Sequence, residues 1–290
     1  MPSSNARNDE ISFRRILVAL DASNHSLAAL DAAVELAAAM KAELEGLYVE
    51  DVKLLRVASS PATREVRYPF VSTAQLDSEY MERQLRAQAS QARRALVAAC
   101  EKRKVKWSFR IVRGEVAHEV VAAAEEVDML ILGRVSRPLI RQIRLGSTAL
   151  AAAVHAPCCV FLLKHDMGIV PPVLVAYDGS PTARRALMIA TRLARKNGGY
   201  LAVLIVADTP EVEYRLQAET ADWLRRHGLL VRFRRLSEVS APALLQALKA
   251  ERSGVLVLSD TIMHLAPLQR FLDEVDCPVL LVRSDAGGSK

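Results

Sequence analysis

Residues 14–51, RRILVALDASNHSLAALDAAVELAAAMKAELEGLYVED, align without a gap against residues 171–208, PPVLVAYDGSPTARRALMIATRLARKNGGYLAVLIVAD. Leu17, Val18, Ala19, Asp21 and Ser23 coincide with Leu174, Val175, Ala176, Asp178 and Ser180, and Val49 and Asp51 with Val206 and Asp208. Agreement over a whole unit marks a duplication. Each copy opens on a short apolar run, ILVAL or VLVAY, suited to a strand buried on both faces. An Asp-x-Ser turn follows, and its serine can cap the next helix. In that helix Leu27, Leu30, Val34 and Ala37 recur at helical spacing. LEGLYV and LAVLIV then supply a second strand. Strand, helix and strand of this length make a βαβ unit with a parallel sheet. The expected fold class is α/β, with two tandem five-stranded parallel-sheet, Rossmann-like domains.

Outward from this repeat, the segment between Asp51 and Ser78 has a Pro/Ser/Thr-rich centre and reads as a loop with a little helix. Glu79 to Lys102 reads as a long helix, WSFRIV as a strand, VAHEVVAAAEE as a helix and MLILG as a strand. The second copy follows a shorter plan, with helices at Val212–Arg226 and Pro242–Glu251 and strands LVRFRRL and VLVLS. Each copy ends on an apolar strand, CVFLLK or PVLLVR. Set edge to edge, these two would cover each other and make an intramolecular pseudo-dimer. The stretch KHDMGIVPP, residues 164–172, suits a short extended linker, so the expected domains are 1–166 and a shorter 167–290.

The formal charge is +6, and the arginines are spread over both halves. No basic run is interleaved with aromatics, so no specific nucleic-acid binding is expected. The four cysteines, Cys100, Cys158, Cys159 and Cys277, lack metal or disulfide-framework spacing and suit small core residues. MPSSNARNDEIS has no signal-peptide core, and no apolar run is long enough to cross a bilayer. The expected location is cytoplasmic, without a membrane partner. There is no GxxxxGK[ST], GxSxG or HExxH, so neither an ordinary P-loop, a catalytic residue nor a metal site is assigned.

One further stretch carries ligand chemistry: LGRVSRPLIRQIRLGSTALAAAVHAPCCV, residues 132–160. Gly133 ends a strand, where an open parallel sheet places its ligands. Gly146, Ser147 and Thr148 open a helix whose free N–H groups and dipole favour an anion. Arg134, Arg137, Arg141 and Arg144 add positive charge. The same features also fit a plain helix cap and a solvated basic face.

The two starts ILVALDAS and VLVAYDGS, Gly133, Gly146-Ser147 and the endings HAPCCVFLL and DCPVLLV resemble the universal stress protein family over nearly the whole chain. That resemblance implies an adenine nucleotide alpha-hydrolase-like fold. It also implies ATP binding, with Mg²⁺, through a loop written G-x2-G-x9-G-[ST]. Gly133, the nine residues from Arg137 to Leu145, and Gly146-Ser147 fit that spacing, with Ser136 in place of the second glycine. Residue by residue, it places Asp21 and Val49 against adenine and ribose, with Ala19 and Leu132 near the base. Gly133 and Ser136 line the phosphate loop, and Gly146, Ser147 and Thr148 hold the phosphates. Asp21 equally suits a turn carboxylate that caps its own helix.

In the second copy Ser259 to Cys277, SDTIMHLAPLQRFLDEVDC, is seven residues shorter than Gly133 to Cys158 and contains no glycine. Asp260, Asp273 and Glu274 would repel phosphate there, so no ATP is expected in the second domain. The expected function is a stress-response sensor or regulator that binds an adenine nucleotide in its first domain and is not an enzyme. The alternatives are a nucleotide-independent scaffold acting through protein partners or a non-nucleotide ligand, and a slow ATPase. A homodimer beyond the internal pair stays open.

Overall fold

The computed structural model describes residues 13–59, 64–67, 72–75, 78–134, 145–163, 169–236, 240–252, 254–263 and 268–284. The first half runs β1 (Arg15–Ala19), α1 (Asn24–Met40), β2 (Glu43–Asp51), α2 (Val52–Ser59), β3 (Arg64–Arg67), β4 (Ser72–Gln75), α3 (Ser78–Arg103), β5 (Trp107–Gly114), α4 (Val116–Ala123), a 3₁₀ turn, β6 (Met129–Gly133), α5 (Ser147–His155) and β7 (Cys159–Leu163). The second half runs β8 (Val173–Tyr177), α6 (Pro181–Lys196), β9 (Tyr200–Val206), α7 (Pro210–Arg225), β10 (Leu230–Leu236), α8 (Ala241–Glu251), β11 (Val255–Ser259), α9 (Asp260–Met263), α10 (Leu268–Glu274) and β12 (Val279–Val282).

Ten of these strands form one sheet, ordered β10-β9-β8-β11-β12-β7-β6-β1-β2-β5. Each half contributes five parallel strands, and the halves join where β12 meets β7 antiparallel, with Leu280 opposite Phe161. The expected edge-to-edge pairing of the two final strands is therefore present. Its cause is physical: VFLL and VLLV are buried throughout, and an open edge of that composition needs a partner. The outer strands β5 and β10 instead alternate in exposure and carry charge. Arg113 pairs with Glu50 at 2.8 Å, and Arg235 with Glu213 at 3.4 Å. Helices cover both faces, and on each face one apolar cluster runs through both halves.

One expectation is corrected. The segment after Asp51, read as a loop with a little helix, contains the full helix α2 and the antiparallel hairpin β3–β4. VKLLRVAS carries its apolar residues on one helical face, but two four-residue strands are too short for a period to show. The shortened second-copy segment also holds structure of its own, α9 and α10. All four cysteines are buried. Burial pushes the Cys158 thiol up to about 12, which leaves it protonated and poorly nucleophilic.

Candidate functional site

In the first half the chain leaves β1, adds β2 and β5 on one side, and returns to place β6 on the other. The crevice at the carboxyl ends of β1 and β6 is thus a topological switch point, the usual ligand position in such sheets. A cleft of about 370 Å³ lies there. Ala19, Asp21, Val49, Leu132, Gly133, Ser147 and Thr148, seven of the nine expected residues, line it. Gly146 stands at its edge as the N-cap of α5. Ser136 lies outside the described residues, with Arg137, Arg141 and Arg144.

Asp21 performs the turn role. Its Oδ1 accepts from the Ser23 N–H at 3.0 Å and from the Ser23 hydroxyl. Ser23 Oγ in turn accepts from Ser26 N and caps α1. Asp21 also lines the cleft, so the turn fixes the position of a carboxylate there. Between them Ala22 adopts φ 58°, where the second copy has Gly179 at φ 82°. A left-handed alanine costs about 1–2 kcal/mol, partly offset by the stiffer unfolded chain. Ala22→Gly is therefore expected to raise stability by about 0.5–1 kcal/mol, read as a higher urea midpoint. A lower midpoint would refute strain at this turn.

Gly133 stands at a close approach of two backbone segments. A Cβ there would lie 3.0 Å from the His25 carbonyl oxygen at the start of α1. Gly146, at φ −61° and ψ 149°, has no side chain with which to cap α5, and α4 likewise lacks a side-chain cap. Helices α1, α6, α7 and α8 are instead capped by Ser23, Ser180, Thr209 and Ser240. Val116 and Ala117 of α4 and Ser147 and Thr148 of α5 both line the cleft. Two helix N-termini without side-chain caps thus open on one space, with N–H groups and dipoles suited to an anion.

The lining residues not assigned to the site from sequence include His25, Tyr48, Lys53, Gln88 and Glu115. Lys53 Nζ pairs with Glu115 at 2.5 Å, and its backbone N–H donates to Asp51 at 2.8 Å. The hydrogen bond and charge of Lys53 hold the Glu115 carboxyl below its usual range. Tyr48 donates its hydroxyl to Gln88 Oε1 at 3.0 Å, which ties β2 to α3. The placement of Glu115 just before a helix and the Asp51–Lys53 turn are local, while the Lys53–Glu115 and Tyr48–Gln88 contacts depend on tertiary packing.

Arg134 is a second correction. It was expected to add positive charge to the loop, yet it is 4% exposed and points into the other half. Its Nη1 donates to Val275 O at 2.6 Å and to Cys277 O at 3.4 Å, and its Nη2 donates to Leu272 O. These are carbonyls at and just beyond the end of α10, which a guanidinium satisfies well. Asp273, expected to repel phosphate in the second copy, reaches the first half instead, where its Oδ1 accepts from Leu145 N at 2.7 Å.

In the matching region of the second half, side chains of that half approach the turn and the strand end. Leu216 Cδ2 lies 2.7 Å from where a Cβ on Gly179 would stand. Buried Ser259, at the strand end that Gly133 occupies in the first half, bonds Thr261 at 2.7 Å, and Thr261 bonds Ser180 at 3.2 Å. His118 and His155 are exposed, and His264 lies outside the described residues. Among the described residues no group of three or more His, Cys, Asp or Glu could hold a metal, and no helix is long and apolar enough to cross a membrane.

The model of the universal stress protein family matches residues 12–164 and 170–260. A universal stress protein of Methanocaldococcus jannaschii is 27% identical over 161 residues, 54% of this chain and 86% of that protein. One from Mycobacterium tuberculosis is 30% identical over 151 residues, half of each chain. Among solved structures, a universal stress protein from Archaeoglobus fulgidus superposes with a TM-score of 0.70 at 19% identity, over 93% of this chain and 96% of that one. This last likeness speaks to the fold.

Proposed function

From the premise that the chain belongs to the universal stress protein family, we propose that it is a stress-response protein whose first domain, residues 1–166, binds an adenine nucleotide. The second, residues 167–290, serves as its structural partner. The observation that carries this reading is the convergence of α4 and α5, both without side-chain N-caps, on the cleft that holds seven of the nine expected residues. The lining suits the parts of ATP. Ala19, Val49 and Leu132 offer apolar surface to a base, Asp21 an acceptor for an amine or hydroxyl, and Ser147 and Thr148 donors for phosphate. Mg²⁺ belongs to this proposal only as companion to the triphosphate. The role is that of a sensor or carrier, and no catalytic group is assigned.

The test is titration of the stripped protein with ATP, followed by hydrogen exchange. Amides of the first half are expected to gain protection and those of the second half to stay as they were. Gly146→Glu should abolish the effect, because its carboxylate would cap α5 and repel phosphate from the same place. Equal protection of both halves would overturn the reading.

A nucleotide-independent scaffold is favoured by one observation. Asp21, Asp51 and Glu115 present three carboxylates to the cleft, while Lys53 is already paired with Glu115. Absence of binding at millimolar ATP would select it.

A further inference from the structure

We infer that α10 of the second half is a positioning element for the first half's cleft, acting through Arg134 and Asp273 on the N-terminus of α5. This rests on the cleft being an anion site. Arg134 directly follows Gly133, and its backbone is held on both sides. Its N–H donates to Leu163 O at 2.8 Å, and its carbonyl accepts from Gly146 N at 2.9 Å. Where Arg134 sits therefore decides where the N-cap of α5 sits. The Arg134 side chain is buried against the end of α10, bonded to Leu272, Val275 and Cys277 carbonyls. One residue along α10, Asp273 reaches back to Leu145 N, next to Gly146.

These contacts close a ring: Arg134, α10, Asp273, Leu145, Gly146 and Arg134 again. A displacement of α10 pulls both on Arg134 and on Leu145. Gly146 and the first-turn N–H groups of α5 move with them. Because those N–H groups face the cleft, the affinity of an anion there depends on a contact that the second half supplies.

Part of the arrangement is reciprocated: Arg283 Nη2 donates to Ala153 O in α5, the position that aligns with Leu272, so what sets the ring apart is the Asp273 contact. Aligning Cys277 with Cys158 puts Val154 in the place of Asp273, and Val154 is 50% exposed. Aligning Ser259 with Gly133 puts Asp260 in the place of Arg134, and Asp260 stays in its own half, accepting from Thr261 N and Ser284 N. Among the described residues the guanidinium contact thus runs both ways, while the carboxylate contact to Leu145 has no counterpart at Val154. By linkage, anything that shifts α10 changes affinity in the first half, and a bound anion stabilises the seat of α10 by the same factor.

The experiment uses the intact chain, with ATP as probe, and compares the parent with Asp273→Ala and Asp273→Asn. Calorimetric titration gives affinity, and hydrogen exchange without ligand gives the state of residues 145–148. Asp273→Ala is expected to weaken ATP binding about tenfold, within the usual range of coupling between sites. Its amides at Gly146, Ser147 and Thr148 should exchange faster. Asp273→Asn keeps an oxygen that accepts from Leu145 and should retain the parent's affinity and exchange. Unchanged affinity and unchanged exchange in Asp273→Ala would overturn the inference. If the parent binds no ATP, the reading of the cleft falls, and exchange alone decides the positioning. Faster exchange confined to residues 145–148 and α10 upholds it, and parent-like exchange sinks it.

Discussion

Phe161→Ala is expected to lower the thermal midpoint by roughly 6–20 °C. Phe161 is fully buried, opposite Ile131 in β6 and Leu280 in β12, at the strand that joins the halves. Deleting a buried phenyl ring costs about 3–5 kcal/mol, as lost transfer energy plus the cavity left behind. In a chain of this size each kcal/mol shifts the midpoint by about 2–4 °C. The cluster that contains Phe161 also contains Val18 and Leu36 from the first half and Val175 and Ile189 from the second. The loss should therefore appear as one calorimetric transition moved downward. Two transitions, with only one displaced, would mean that the halves unfold independently. Ile111→Ala on the outer strand β5, where the side chain is 52% exposed, is the matched control and should change stability by less than about 0.5 kcal/mol.

The contrast between these two positions also explains what could be read from the sequence. The central strands are continuous apolar runs because both faces are covered, and VLVAY and VLVLS are buried at every residue. A reading by hydropathy finds such strands directly. Ser23 and Ser180 were legible for another reason: a helix cap acts over three residues, so its signal is local. The α5 start and Gly133 were legible as a helix start and a strand end, the family resemblance joined them into one loop, and they do line one cleft.

Arg134 was not legible. In GRVSRPLIRQIR it looks like the other arginines, and its use is set by Leu272, 138 residues away. Asp273 is the same case in reverse, an acidic residue whose partner is a backbone N–H in the other half. Tyr48 and Gln88 meet only because α3 packs on β2. Local pattern can name an element and its ends. It cannot say which of several similar charges is taken into an interface, because that is decided by the geometry of the assembled sheet.

Gly133→Val is expected to reduce ATP affinity at least a hundredfold, about 2.7 kcal/mol. A Cβ at this position would meet the His25 carbonyl at 3.0 Å for oxygen and 3.2 Å for carbon. Backbone cannot turn aside as a side chain can, so either the start of α1 moves or the new methyls enter the cleft. Movement of α1 would carry the Asp21–Ser23 turn with it, since Ser23 caps that helix and holds the Asp21 carboxylate. Entry of the methyls would take space from a cleft of about 370 Å³ beside Leu132 and Ser147. Either route harms the ligand more than the fold, where overpacking costs about 1–3 kcal/mol. The variant should therefore remain folded by circular dichroism and lose the nucleotide in calorimetric titration. Gly133→Ala, which must displace the same carbonyl by only a few tenths of an ångström, should fall between the two. Parent-like affinity in Gly133→Val would mean that the ligand does not lie over the end of β6. The cleft's family resemblance would then describe ancestry without describing use.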